Sequence, residues 1–224
     1  MFSSDIKLAI FDLDGTLVNT ITDLGSSVSY ALARLGFPKR TMEEYTRFVG
    51  NGTLKLIQRS VPEEFKDDAA VVAHAHSLFK DYYAEHYCDT SRIYDGMLEA
   101  VEELKTRGIM LSVLTNKPDE FAVKIMDRLF PKGTFNHVQG AREGVPKKPD
   151  PTAELEIMRL FGADPANTVH IGDSDVDVFT AHNAAIKCIG CSWGFRSRES
   201  LIEAGADAIA DKPTELPKIM ATAW

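Results

Sequence analysis

Phe11-Asp12-Leu13-Asp14-Gly15-Thr16-Leu17 follows directly on an apolar run, Leu8 to Phe11, and breaks it at a Gly-Thr turn. A short apolar run closed by such a turn reads as a buried parallel strand that presents reactive groups at its end. Alternation points Asp12 and Asp14 roughly the same way, and Gly15 lets the chain turn so that backbone N–H groups approach an anion. Two crowded carboxylates repel each other unless a cation lies between them. A hard divalent ion such as Mg²⁺ accepts carboxylate, carbonyl and water oxygens, and would hold a phosphate against a carboxylate nucleophile. Taken alone, the heptapeptide reads equally well as a polar turn that caps a helix.

The rest of the chain decides between these readings. From Tyr94 onward helices and apolar runs alternate: a helix near Met97 to Arg107, a strand from Ile109 to Thr115, and a helix near Asp119 to Phe130. A short strand near Asn136 to Gln139, a helix from Thr152 to Phe161 and a strand from Thr168 to Ile171 follow, with further strands at Ala185 to Ile189 and Asp207 to Ala210. This rhythm predicts an α/β fold with a doubly wound, Rossmann-like parallel sheet, whose ligands bind beyond the carboxyl ends of the strands. Between Asn19 and Thr90 only helical periodicity remains, at Leu24, Val28, Ala31, Leu32 and Leu35 and again at Val71, Leu78, Tyr82 and Tyr83. The expected organisation is a core of residues 1–18 and 91–224 with a helical domain, residues 19–90, inserted after the first strand. The two crossings near Val18 to Thr20 and Thr90 to Tyr94 are suited to act as a hinge.

Composition narrows the function classes. A chain of 224 residues with 44% hydrophobic content can bury a substantial core. Its 33 acids against 25 bases give a formal charge of −8, and no basic run tracks a nucleic-acid backbone, so nucleic acid is not an expected partner. No apolar stretch approaches the roughly 20 residues of a membrane helix, and the start of the chain lacks the pattern of a signal peptide. With three cysteines, Cys88, Cys188 and Cys191, a reducing cytoplasm is the expected compartment. Cys188-x-x-Cys191 lies in an apolar run without a second ligand pair and reads as core packing rather than a redox or zinc site. His74 and His76, two apart on a helix, do not form a paired metal site, and His170 reads as a core or supporting residue.

Three strand ends carry matching chemistry: Asp12 on the first, Thr115-Asn116-Lys117 on the next, and Gly172-Asp173-Ser174-Asp175-Val176-Asp177 on a later one. The loop Lys147-Lys148-Pro149-Asp150-Pro151 adds a cation able to reach a shared anionic site. With Asp12-Leu13-Asp14-Gly15-Thr16, Thr115-Asn116-Lys117, Lys148-Pro149-Asp150-Pro151 and Gly172-Asp173-Ser174-x-x-Asp177 in this order, the chain resembles the haloacid dehalogenase superfamily, in its phosphoglycolate phosphatase-like branch with a helical cap after the first motif.

The resemblance implies a Mg²⁺-dependent phosphatase acting on a small phosphorylated metabolite. Asp12 would be the nucleophile that forms an aspartyl-phosphate, and Asp14 the general acid and base. Mg²⁺ would be held by Asp12, the backbone carbonyl of Asp14 and Asp173. Thr115 and Asn116 would bind the phosphoryl group, Lys148 would offset charge on it and on Asp12, and Asp177 and Ser174 would support the site from behind. In capped relatives the helical insertion closes over the site, which makes Asn51, in Phe48-Val49-Gly50-Asn51-Gly52-Thr53, and Arg59 the candidates for reading the leaving group. Two departures touch substrate choice and loop stiffness rather than chemistry: Asn19-Thr20 replaces the acid-Ser pair that relatives often carry, and Asp95 rather than Pro precedes Gly96. A β-phosphoglucomutase-like phosphomutase, a pyrophosphatase and a non-catalytic sensor of a phosphorylated metabolite are the alternatives, and oligomeric state is left open.

Overall fold

A computed structural model describes residues 6–222. The chain divides into two compact units, one running to Val18 and resuming at Ile93, the other spanning Asn19–Arg92.

The first unit is built on strand β1 (Leu8–Phe11), all four of whose side chains are buried. Two short strands, β2 (Val18–Asn19) and β3 (Arg92–Ile93), mark the crossings between the units. Then come α5 (Met97–Thr106), β4 (Met110–Pro118), α6 (Asp119–Leu129), β5 (His137–Ala141), α7 (Thr152–Phe161), β6 (Thr168–Gly172), α8 (Asp175–Asn183), β7 (Lys187–Cys191), α9 (Arg198–Glu203), β8 (Ala208–Ala210) and α10 (Leu216–Thr222), numbered after the four helices of the inserted unit. The sheet has the order β5-β4-β1-β6-β7-β8, and each neighbouring pair is parallel. The expected doubly wound α/β sheet is therefore present. Strand β1 pairs with β4 through Phe11 and Val113 and with β6 through Phe11 and Ile171, so Asp12 leaves the sheet at its centre. The chain winds outward through β4 and β5 before reversing to β6, which makes the β1/β6 boundary the switch point where ligands of such sheets bind.

Burial on both faces explains the continuous apolar strands. On one face Leu8 and Ile10 pack with Ala153, Ile157 and Met158 of α7 and with Val178 and Ala181 of α8. On the other, Phe11 meets the edge of Phe135 at 5.9 Å. Strand β4 runs three residues past the expected end at Thr115, because its pairing with β5 slips between Leu114 and Pro118 and lets Thr115-Asn116-Lys117 continue as extended chain.

The inserted unit holds α1 (Ile21–Arg34), α2 (Met42–Phe48), α3 (Thr53–Ser60) and α4 (Ala69–His86). Helix α1 buries Leu24, Val28, Ala31 and Leu32, as the periodicity predicts, while Leu35 falls just beyond its end. In α4 the buried stripe is Val72, Ala75, Phe79 and Tyr83; of the expected Val71, Leu78, Tyr82 and Tyr83, Tyr83 is buried and the other three each lie one position before a residue of the stripe. The reason is aromatic: Tyr82 lies at the edge of the stripe, stacked on Tyr30 at 4.4 Å, while Phe79 and Tyr83 stack on each other inside. The ends of the unit are tied together by Asp23, whose buried carboxylate accepts hydrogen bonds from the backbone and hydroxyl groups of both Thr90 and Ser91 at 2.6–3.1 Å. No helix among the described residues is long and apolar enough to cross a membrane.

Candidate active site

The site of the first unit is assembled from the carboxyl ends of β1, β4, β6 and β7. Beyond β1 the backbone turns at once. Gly15 adopts φ +91°, and its N–H donates to the carbonyl of Val18 while Leu17 and Val18 donate to that of Leu13. A Cβ on Gly15 would fall on the carboxylate of Asp173, so the glycine is needed both for its backbone conformation and for the close approach of the β6 loop.

Lys148 occupies the centre of the site. Its ammonium donates to Asp12 Oδ1 at 2.8 Å, to Asp177 Oδ1 at 2.6 Å and to the carbonyl of Leu114 at 3.0 Å. All three donors are therefore engaged with the side chain buried. Burial works against its charge, but Asp12 and Asp177 overcome it and hold Lys148 protonated, above its ordinary range. The neighbouring Lys147 is exposed. Asn116 fixes the loop that carries Lys148: its side chain donates to the Lys148 carbonyl at 3.0 Å and accepts from the Lys148 N–H at 2.9 Å. Asn116 was expected beside the phosphoryl group, and the structure places it as a clamp on the lysine backbone.

Asp177 is saturated. Its Oδ1 accepts from Lys148 and from His170 Nε2 at 3.3 Å, and its Oδ2 from the Ser174 N–H at 3.0 Å and hydroxyl at 2.6 Å. Burial would raise its pKa, yet Lys148 and His170 hold it far below the usual carboxylate range. Asp12 and Asp173 are in the opposite condition. Burial pushes Asp12 up to about 6, with Asp177 and Asp14 adding to the push and Lys148 opposing it. Asp173 is raised well above the ordinary value by burial and by Asp177 and Asp12.

Asp12, Asp173 and Asp177 can bring ligand oxygens within 4.8 Å of one another. Two of these acids are thus strained in their charged form, which is the condition that a divalent cation relieves. Asp177 is already committed to four donors, so Asp12 and Asp173 are the members fitted to ligate.

Asp173 is held by groups from two segments, the loops that follow β1 and β7. Thr16 Oγ1 donates to its Oδ1 at 3.2 Å, and the Phe195 N–H to its Oδ2 at 2.7 Å. A Cβ on Gly194 would fall on Asp173 and on the Gly15 carbonyl. Trp193 Nε1 donates to the Thr16 carbonyl at 3.0 Å, locking the β7 loop to the β1 loop. Asp175 takes no part in this set and lies 3.9 Å from Arg196.

Asp14 is paired with Lys117, whose ammonium donates to its two oxygens at 2.9 and 3.1 Å. Thr115 is buried and its hydroxyl accepts from the Lys117 N–H at 3.3 Å, which leaves the hydroxyl hydrogen as the group to offer elsewhere. Asp12, Asp14, Thr115, Lys148, Asp173, Ser174 and Asp177 thus belong to one cluster. Asn51 and Arg59 belong to the other unit, where Asn51 lies in the α2–α3 loop and Arg59 donates to the Phe48 carbonyl at 2.8 Å. In that unit His76 pairs with Thr53 at 2.9 Å, and His74 is exposed. Cys88, Cys188 and Cys191 are free and buried, and burial raises the thiols of Cys188 and Cys191 well above their ordinary range, which makes them inert packing groups.

Sequence reasoning missed two contributors. Lys117 stands two residues after Thr115 on extended chain, so alternation puts both on one face, a signal that was present. The segment Ser192 to Phe195 had a weaker one, a Trp-Gly pair just past the end of a strand.

The doubly wound sheet thus carries paired acids at its switch point with a buried lysine between them. The sequence profile of the haloacid dehalogenase-like hydrolases matches residues 9–191, and the chain belongs to that family. Among curated relatives, phosphoglycolate phosphatase of Pseudomonas putida is 33% identical over 192 residues, covering 84% of this chain and 70% of that protein. Phosphoglycolate phosphatase of Haemophilus influenzae is 31% identical over 223 residues, covering 97% of this chain and all of its own length. Among solved structures, a protein described as a predicted phosphoglycolate phosphatase from Haemophilus somnus superposes with a TM-score of 0.89 at 31% identity, over 96% of this chain and 98% of that one.

Proposed function

We propose that this enzyme is a Mg²⁺-dependent phosphatase that hydrolyses a small phosphomonoester, with 2-phosphoglycolate the first candidate, through an aspartyl-phosphate on Asp12. The observation that carries the reading is the Lys148 ammonium, held between Asp12 and Asp177 with Asp173 beside them, because it offsets charge at a carboxylate oxygen while the crowded acids suit a divalent cation that would neutralise a phosphoryl dianion. The relatives that share the family and carry the name phosphoglycolate phosphatase support the choice of substrate.

Asp12 attacks phosphorus, the bond from phosphorus to the ester oxygen breaks, and Asp14 gives its proton to the departing alkoxide. Asp14 then takes a proton from water, the water oxygen attacks phosphorus, and the Asp12–phosphorus bond breaks to release inorganic phosphate. Lys117 orients Asp14, Lys148 keeps Asp12 ionised and stabilises charge on the phosphoryl oxygens, and Thr115 donates to one of them. Asp12, the Asp14 carbonyl and Asp173 would hold Mg²⁺, which supplies charge neutralisation that lets two anions meet. Asn51 and Arg59 are proposed to contribute to substrate choice.

The test is phosphate release, read as kcat/KM, across 2-phosphoglycolate, sugar phosphates, nucleoside monophosphates and pyrophosphate with Mg²⁺. The reading expects one phosphomonoester to stand well above the rest and Asp12→Asn to be inactive on it. Phosphoryl transfer between sugar hydroxyls without release would favour a mutase, and tight binding without turnover would favour a sensor.

A further inference from the structure

Behind the lysine lies a second buried charge pair that the reaction above does not use. His170 sits in the middle of β6, between Ile10 of β1 and Cys188 of β7 in register, and is fully buried. Its Nδ1 lies 3.0 Å from both carboxylate oxygens of Glu154 on α7, which is also fully buried, and its Nε2 lies 3.3 Å from Asp177 Oδ1 on α8. The ring therefore faces a carboxyl group at each end, and with both carboxyls ionised the two contacts are satisfied together only when both nitrogens carry a proton. From Glu154 the chain of contacts runs through His170, Asp177 and Lys148 to Asp12, with charges alternating at every step. The remaining titratable neighbour is Cys188, whose thiol stays protonated.

We propose that Glu154 and His170 are positioning residues, a buried carboxylate–imidazolium pair that fixes Asp177 and, through it, aims the Lys148 ammonium at Asp12. The assignment rests on the reading of Lys148 as the cation of phosphoryl transfer. Asp177 has two claims on its Oδ1, and the imidazolium holds that oxygen at the sheet face while Ser174 holds the other. Without the ring's charge, Glu154 and Asp177 become two buried carboxylates with no cation between them, and Lys148 is drawn back from Asp12 towards Asp177. Burial opposes the imidazolium, but Glu154 and Asp177 outweigh it and raise His170 to about 9, so the pair is intact at neutral pH.

Two measurements test this. In ¹⁵N-histidine-labelled wild-type protein at pH 7.5, with His170→Gln giving the assignment, long-range ¹H–¹⁵N correlations should show both His170 nitrogens protonated. A single protonated nitrogen would overturn the proposal. In kinetics, Glu154→Gln and His170→Gln should each lower kcat by about 10–100-fold per folded molecule, the usual effect of losing a residue that orients a site group, with KM changed less than threefold. Equal kcat in variants whose folding is verified by circular dichroism would also overturn it, since a structural role alone changes the folded fraction and not the turnover of folded molecules. If His170→Gln does not fold, Glu154→Gln carries the kinetic arm, and replacing the other five histidines one at a time assigns His170 by elimination. Should the wild-type enzyme release phosphate from no ester, the phosphatase reading fails separately, and the nitrogen protonation still decides the pairing.

Discussion

Replacing Lys148 by Met removes a buried ammonium while keeping much of the volume of its stem. Three hydrogen bonds are lost, to Asp12, Asp177 and the Leu114 carbonyl. Breaking a buried pair by removing one partner costs about 3–5 kcal/mol, because the other charge is left uncompensated. Here the cost falls towards the lower end, about 3 kcal/mol at pH 7.5, for two reasons. Asp177 retains His170 and Ser174, and Asp12, already raised to about 6 with the lysine present, takes up a proton once its cation is gone. That same protonation removes the proposed nucleophile, so kcat should fall by at least about 10³, more than one lost electrostatic donor alone accounts for. Urea unfolding of metal-free wild-type and variant protein at pH 7.5 and pH 5 measures the first effect. At pH 5 the difference should shrink, since Asp12 is protonated in both proteins. A loss below about 1 kcal/mol at pH 7.5, or kcat within tenfold of wild type, would refute the placement of Lys148 as the ion-pair partner of Asp12.

Other consequences follow from the same geometry. His170 is raised from an ordinary 6.5 to about 9, so the folded state binds a proton that the unfolded state has released in that interval. Its stabilisation is full below pH 6.5 and lost as pH rises through 9, a fall of roughly 3 kcal/mol that should appear in urea unfolding of wild type and be absent from His170→Gln. Asp12 is also raised, from 3.8 to about 6, so metal-free protein should lose stability as pH climbs through that window. Thermal melts should show Mg²⁺ stabilising little at pH 4 and increasingly by pH 7; a flat response would contradict the metal assignment. Gly194→Ala, whose Cβ would fall on Asp173, should weaken Mg²⁺ binding by calorimetry at least tenfold with the fold retained, and unchanged affinity would remove Asp173 as a ligand.

The sheet was legible because each apolar run ends in residues that cannot continue a buried strand: Asp12, Asp173 and Gly15 break the pattern where the chain leaves the sheet. The strand-end acids could be read from the same breaks, and Lys148 from the proline-flanked loop that precedes α7. Other features depend on partners distant in sequence. Lys117 meets Asp14 across 103 residues, and Phe195 meets Asp173 across 22, so no local pattern encodes either contact. Asn116 follows Thr115 in sequence, and only the fold brings to its amide the two backbone groups of Lys148 that it also matches. The strand containing His170 is apolar on both sides, and only the placement of Glu154 on the facing helix turns that residue from packing into part of a charge network. In α4 the periodicity of Val71, Leu78, Tyr82 and Tyr83 places Tyr83 correctly, while the stacking of Phe79 on Tyr83 turns Val72 and Phe79 inward in place of Val71 and Leu78.

The central claim is that Asp12 carries the phosphoryl group. It is tested by mixing Asp14→Asn protein with ³²P-labelled p-nitrophenyl phosphate, whose leaving group needs no acid, quenching in acid and reducing the acyl phosphate with borohydride. The account predicts bound label within the first turnover and, by peptide mass, homoserine at position 12. Release of phosphate by the same protein with no bound label at any time, or with label on another residue, would contradict it.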